Sequence, residues 1–414
     1  MNVQKTKLWE EKKLEDVSEV IRGITFPSNS NIHEQKNGFV ACLRTTNVQN
    51  TVDWENIWQV PEKYVKNNEK IIQINDILIS NANSLDLVGK VSFVDKIPFK
   101  TTWGSFITVF RALPNIDPKF LFYQLRSKKN RMYLRSIAST TTNISNISIS
   151  KLKKIPIILP PLKIQQKIAS ILENANELKE MREKADELTK DYLKAIFQEM
   201  FGGPVTNSKK WEIKKMKDIS KKIVSGTTPK GGKEVYVEKG TVFFRSQNVW
   251  KNRLSLDDVA HIDNDTHAKM IRSSLKNKDI LMTKTGRINT ENSSLGRAAM
   301  FLGEDNSANI NGHVYLIRLQ ENIIPEFVLF IITTNEYREY IRSICVGAID
   351  KRQINKEHLQ NFPIIFPPIE LQKKFVSIVK EVEVMKEQQK QSRIQIHNLF
   401  NYLMQKAFKG ELAC

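Results

Sequence analysis

The chain has 414 residues, enough for two or three domains with cores of their own. Its 64 lysines and arginines outweigh 45 aspartates and glutamates, and the formal charge of +19 points to a polyanionic partner, nucleic acid before a membrane surface. Three isolated cysteines (Cys42, Cys345, Cys414) exclude a disulfide scaffold, and no apolar run approaches membrane-spanning length, so a soluble cytoplasmic protein is expected.

After an opening, MNVQKTKLWEEKKLED, without the apolar core of a signal peptide, Trp9 to Ile155 reads as a first globular region. Strand-like runs are GFVACLR (38–44), KIIQINDILIS (70–80), GKVSFVD (89–95) and SFITVFRAL (105–113), each rich in β-branched or aromatic residues between turn formers. Pro118–Arg135 predicts a helix pair with Phe120, Leu121, Leu125 and Tyr133 on its core face, and a polar loop, STTTNISNIS (139–148), follows. Next come a strand, the break Pro160-Pro161, and a helix predicted over Ile164–Phe201, which neither Gly nor Pro interrupts. GGPVTNSKK (202–210) then carries the stop signal of a helix end and the linker.

From Trp211 everything recurs. WEIKKMKDISKKIVSG repeats the opening at Trp9, with Asp218 on Asp16. GTVFFRSQNV (from Gly240) repeats GFVACLRTTNV, placing Arg245 and Asn248 on Arg44 and Asn47. The unit Asp279–Leu281 repeats Asp76–Leu78, Arg318 falls on Arg111, and PEFVLFII (from Pro325) falls on PKFLFYQL (from Pro118). The closing stretch PIIFPPIELQKKFVSIV, from Pro363, matches PIILPPLKIQQKIASIL, from Pro156, without a gap as far as Gly410 on Gly203. Frameworks match while the segments between them differ, as expected of one scaffold reading two unlike ligands.

The long helices carry a four-three apolar pattern: Ile164, Ile168, Ile171, Ala175, Leu178, Ala185, Tyr192 and Ile196 in the first; Leu371, Phe375, Ile378, Val382, Met385, Leu399 and Leu403 in the second. This predicts a coiled-coil seam. Because the second globular region lies between the two helices in sequence, the helices must run antiparallel if they pair, with similar domains at opposite ends of a rod about 57 Å long. Arg182 and Gln389 occupy its middle, either as a polar pair that sets register or as the frayed centre of a weak seam. The fold class expected is α+β: two similar α/β domains separated by a pair of long antiparallel coiled-coil helices, with an internal pseudo-twofold repeat. Its divisions fall at 1–155, 156–203, 204–210, 211–362 and 363–414.

These residues resemble the specificity (S) subunits of type I restriction–modification systems, from Trp9 to Gly410. The resemblance rests on the duplicated Pro160–Gln165 and Pro367–Gln372 units, the twin openings (Trp9, Asp16; Trp211, Asp218) and the twin Asp-Ile-Leu units. It implies a double-stranded-DNA-reading protein with two target-recognition domains, one per half of a split asymmetric site. It also implies helices that set the spacer and dock two methyltransferase (M) subunits, and restriction (R) subunits in the full complex. Methyl donor, ATP and magnesium would belong to those partners, leaving this chain without a cofactor or a catalytic residue.

The chain's own chemistry fits that division. It has no Asn/Asp-Pro-Pro-aromatic methyltransferase motif, no GxxxxGK[ST] loop, and no His/Cys metal cluster. Its loops supply candidate DNA contacts, since Lys and Arg hold phosphates while Arg and Asn read guanine and adenine. In the second domain these are Lys230, Lys233, Lys284, Arg287, Lys351 and Arg352, with Arg245, Asn248 and Asn289 as base readers. In the first they are Arg22, Arg44, Asn47, Asn81, Asn83, Asn143 and Asn146. Arg111 and Arg318, in apolar strands, read as structural. The competing reading is a stand-alone basic nucleic-acid-binding protein with a coiled-coil spacer.

Overall fold

The structure is a computed structural model that describes residues 9–27, 29–141, 144–288, 292–348 and 351–412. It divides into two compact units, Met1–Lys184 with Gln389–Cys414, and Ala185–Gln388, so each unit holds one globular domain and half of each long helix.

In the first unit a four-stranded antiparallel sheet runs in the order Ser18–Arg22, Ile107–Ala112, Ile77–Ser80, Val91–Phe93. A second sheet sets Phe39–Leu43 between Trp58–Pro61, antiparallel, and Thr101–Trp103, parallel. The strand expected over 70–80 begins only at Ile77. Asn68–Lys70 is a 3-10 turn, and Asn75 takes a φ of 71°, which ends any earlier strand. The second unit repeats both sheets: Ser220–Ser225, Val314–Leu319, Ile280–Thr283, Ala298–Met300; and Ala260–Ile262, Tyr236–Phe244, Ala308–Ile310.

The helix pair forms as Pro118–Arg126 and Lys128–Ile137. Asp117 caps the first, accepting from Phe120 N–H at 2.8 Å with Pro118 at the first helical position, and Ser127 caps the second. Leu134, rather than Tyr133, is the fully buried member of the second helix. A short helix not foreseen, Ile149–Lys153, precedes the strand Pro156–Leu159, which pairs with Glu10–Lys13.

The long helices span Leu162–Phe201 and Ile369–Lys409. Each starts on a glutamine staple: Gln165 Nε2 donates to Pro160 O and Gln372 Nε2 to Pro367 O, both at 2.7 Å. That bond satisfies a carbonyl that the Pro-Pro break leaves without a helical partner, which is why a glutamine stands at this position in both repeats. In the first unit the start of the first helix (Ile168, Leu172) and the end of the second (Met404, Ala407) share one core; Phe408 packs on Phe120 with ring centroids 5.5 Å apart. In the second unit Phe197, near the end of the first helix, meets Phe375, near the start of the second, at 5.3 Å. The helices therefore run antiparallel, and the expected fold class is the one observed.

The seam itself differs from the pattern expected. Leu178, Tyr192, Met385 and Leu399 are exposed, while Leu172, Leu193, Phe197 and Met404 are buried. The physical reason is a second partner: each helix end packs on its unit's short helices as well as on the other long helix, so the buried stripe turns toward the domain. The linker is also firmer than its glycines imply. Gly202, Gly203 and Pro204 are buried, and Glu336 accepts from the Val205 and Thr206 N–H groups at 3.1 and 2.8 Å.

Candidate nucleic-acid interface

The four-stranded sheet of each unit ends in a glycine that no other residue could replace without moving backbone. A Cβ on Gly23 would lie 2.1 Å from Gly104 O, and one on Gly226 would lie 2.1 Å from Ile310 O. That close approach carries the chain off the sheet and into the loops that hold the candidate contacts.

In the second unit three loops far apart in sequence converge. Lys284 Nζ donates to Ser225 Oγ at 3.3 Å, tying the second loop to the first. Thr285–Gly286 pairs with Arg352–Gln353, tying it to the third. Arg287 and Lys351 are exposed beside that pair, and Lys230 and Lys233 are exposed on the first loop. Lys284 is half-buried over the Tyr315 ring at 5.0 Å, and burial lowers its pKa. A lysine desolvated in this way gains most from an incoming phosphate, because its charge is poorly compensated in the free protein. Arg352 is partly buried and donates to Cys345 O at 3.2 Å. Asn289 lies outside the described residues.

In the first unit the corresponding convergence is built from amides. Ser145–Asn146 pairs with Ala82–Asn83, and Ile147 N–H donates to Asn81 O at 2.8 Å. Asn146 and Arg22 are exposed there, and Asn83 is half-buried. Asn81 is buried, donating to Ser105 O and accepting from Thr108 Oγ1, so it braces the face rather than reading from it. Asn143 lies outside the described residues. Phe106 is 62% exposed on the turn into strand Ile107–Ala112, and its carbonyl accepts from Asn81 N–H.

Four of the expected DNA contacts, Arg245 and Asn248 as base readers and Arg44 and Asn47 as their counterparts, have side chains engaged by the fold. Asn47 is buried, accepts from Arg44 N–H at 3.0 Å and donates to Asp53 O and Glu55 O. Asn248 repeats this with Arg245 N–H at 2.9 Å, Ser255 O and Asp258 O. Arg44 lies over the Trp58 ring at 4.8 Å and donates to Asn56 O; Arg245 pairs with Asp258 at 3.2 Å. The repeated Arg-x-x-Asn is a turn lock.

What converges on the paired loops is cations in the second unit and amides in the first. Among the described residues no group of three His, Cys, Asp or Glu is placed to hold a metal ion, and no helix is long and apolar enough to cross a membrane. The fold is a duplicated framework that carries a different set of polar loops in each unit. Residues 6–190 and 208–398 each match the type I restriction modification DNA specificity domain, and the chain belongs to that family. It is 23% identical over 427 residues to the specificity subunit of the type I restriction enzyme StySPI of Salmonella potsdam, covering 98% of this chain and 89% of that one. The EcoKI specificity subunit of Escherichia coli K12 is 23% identical over 425 residues with the same coverage. A crystal structure of the S subunit of a type I system from M. genitalium superposes with a TM-score of 0.56 at 17% identity, covering 98% of both chains. Membership of this family sets aside the stand-alone reading.

Proposed function

We propose that this chain is the non-catalytic specificity subunit of a type I restriction–modification complex. It reads a bipartite, non-palindromic duplex site with one domain per half-site, and its long helices set the spacer. The observation that carries this is the pair of loop clusters on one framework: amide-rich in the first unit (Asn83, Asn146), cationic in the second (Lys284, Arg287, Lys351). Amides and cations prefer different base edges and different phosphate tracks, so the two halves read unlike sequences.

The proposed partners are two M subunits, and R subunits in the full complex, bringing methyl donor, ATP and magnesium with them; the proposed location is the cytoplasm. Exposed apolar side chains on the long helices support docking there: Leu178, Met181, Ile394 and Tyr402 in the first unit, Leu188, Tyr192 and Val384 in the second. The test is the host's methylation pattern with the gene present and deleted. Loss of a split asymmetric motif is the expected result; loss of none, or of a palindrome only, refutes the reading. Co-purification with a methyltransferase checks the assembly separately.

A further inference from the structure

In the first unit the turn joining the two short helices faces the last turns of the second long helix across a groove of about 670 Å³. Phe400, Met404 and Phe408 form its floor, and Met132, 62% exposed, stands at its edge. Its charged lining is Arg126, Lys128, Lys129, Arg131, Arg135 and Lys409. Among the described residues only Arg135 of these six has a carboxylate in ion-pair range, Asp86 at 3.6 Å. Arg126 donates to the Asn50 side chain and Arg131 to the Asp86 carbonyl, both uncharged acceptors.

The internal repeat shows what this place looks like when its charge is balanced. At the same offset that puts Phe408 on Phe201, the groove recurs in the second unit with a volume of about 330 Å³. There Lys128 and Lys129 are replaced by Asn335 and Glu336, and Asp191 and Glu383 join Lys194, Lys251 and Lys386 in the lining. Glu336 holds the backbone of the linker at Val205 and Thr206, and Pro204 lies in the groove wall. So the second copy lines its groove with three carboxylates beside three lysines and has the linker's Pro204 in its wall. The first copy keeps the apolar floor and the cations but supplies almost no acid.

We propose that the groove of the first unit docks an acidic, apolar-bearing segment of a partner polypeptide, with carboxylates on Lys128, Lys129 and Lys409 and apolar side chains on Met132, Phe400 and Phe408. This deepens the reading of the chain as an assembling subunit and rests on it. Charge complementarity sets the sign of the occupant. The floor sets its class: a phosphate backbone has no apolar face to lay on methionine and phenylalanine, whereas an amphipathic peptide does. The second copy supplies carboxylates of its own at the same place, in the lining of its smaller groove.

The test uses the full-length chain and three labelled probes: an amphipathic peptide of alternating Glu and Leu pairs, the same peptide with Lys for Glu, and a duplex carrying the chain's methylated motif. The variant is Lys128→Glu, Lys129→Glu, Lys409→Glu, all exposed positions whose reversal leaves the core intact; the matching Gln triple serves as a neutral check. The acidic peptide is expected to bind the wild type in low salt, at least tenfold more weakly to the Glu triple and intermediately to the Gln triple. The Lys peptide should not bind the wild type, and duplex affinity should change less than twofold. Equal acidic-peptide binding by wild type and variant, or none by the wild type, overturns the proposal. Parallel loss of duplex binding, with a shallower salt dependence, also overturns it by assigning the groove to nucleic acid. A wild type that fails to bind its duplex counts against the specificity reading and not against the groove.

Discussion

The guanidinium of Arg111 forks onto the carboxylate of Asp76, Nε to Oδ1 at 2.9 Å and Nη2 to Oδ2 at 2.8 Å. Arg318 makes the same fork onto Asp279 at 2.8 and 2.7 Å. Each aspartate also takes a backbone N–H, from Gln73 or Lys276. The pairs join adjacent parts of the four-stranded sheets, and both carboxylates are buried. The repeated Asp-Ile-Leu unit and the arginine in an apolar strand are thus one structural device.

Removing one partner of such a pair leaves a buried charge unmatched, at a cost of about 3–5 kcal/mol. Arg111→Ala should lower the urea midpoint of the first unit accordingly, and Arg318→Ala that of the second. Burial already pushes the Asp76 carboxyl above its ordinary value, against the pull of Arg111 and the Gln73 amide. Without Arg111 the folded pKa rises further. A folded pKa above the unfolded one gives stability that is present at low pH and lost as pH rises through it. Arg111→Ala should therefore be less destabilised at pH 5 than at pH 8, and equal losses at both would refute this.

Gly226→Ala places a methyl against Ile310 O, so the turn into the second unit's loops must shift. Recognition of one half-site should fall at least tenfold in competition binding while the other half-site is read normally. Gly23→Ala should do the converse through Gly104 O. A uniform loss on both half-sites from either variant would contradict separate reading heads.

Lys284→Ala with Arg287→Ala should relax or abolish the half-site read by the second domain alone. Loss of a good bidentate base contact is worth about 1–3 kcal/mol, and loss of a phosphate contact lowers the salt slope by about one. Sequencing of methylated motifs in cells carrying the variant provides the readout.

Adding one heptad to each long helix in matched register adds about 10.5 Å of helix. The expected result is a spacer longer by one to three base pairs, at 3.4 Å each, with both half-sites unchanged. The rotation of about 100° that three base pairs bring must be taken up mostly by DNA twist or lost affinity. The linker can yield little, since Glu336 pins its backbone. A folded variant that methylates only the original spacing would show that the helices do not measure it.

The repeat, the two long helices, their antiparallel course and the duplicated domain followed from the residues, because chain order and proline and glycine punctuation are local properties. Lys230, Lys284 and Lys351 could be named as loop cations, but nothing in their spacing said that Lys284 meets Ser225 or that Gly286 pairs with Arg352.

What the sequence determined by itself was the doubling and the two long helices, because a repeat and the prolines and glycines that punctuate it are local properties; the class of protein came with the resemblance to a known family. Only the tertiary structure decided which polar loop side chains are exposed and which are engaged by the fold. Asn47 and Asn146 look alike as loop amides, yet the first is buried on three backbone groups and the second is exposed. Arg44 and Arg22 divide in the same way, one over a tryptophan ring and one in solvent. A side chain's availability depends on which distant backbone groups fall within 3 Å of it, and that is a property of packing rather than of composition. The same holds for the two grooves, where Lys129 and Glu336 occupy equivalent positions but only the assembled walls show one charge balanced and the other not.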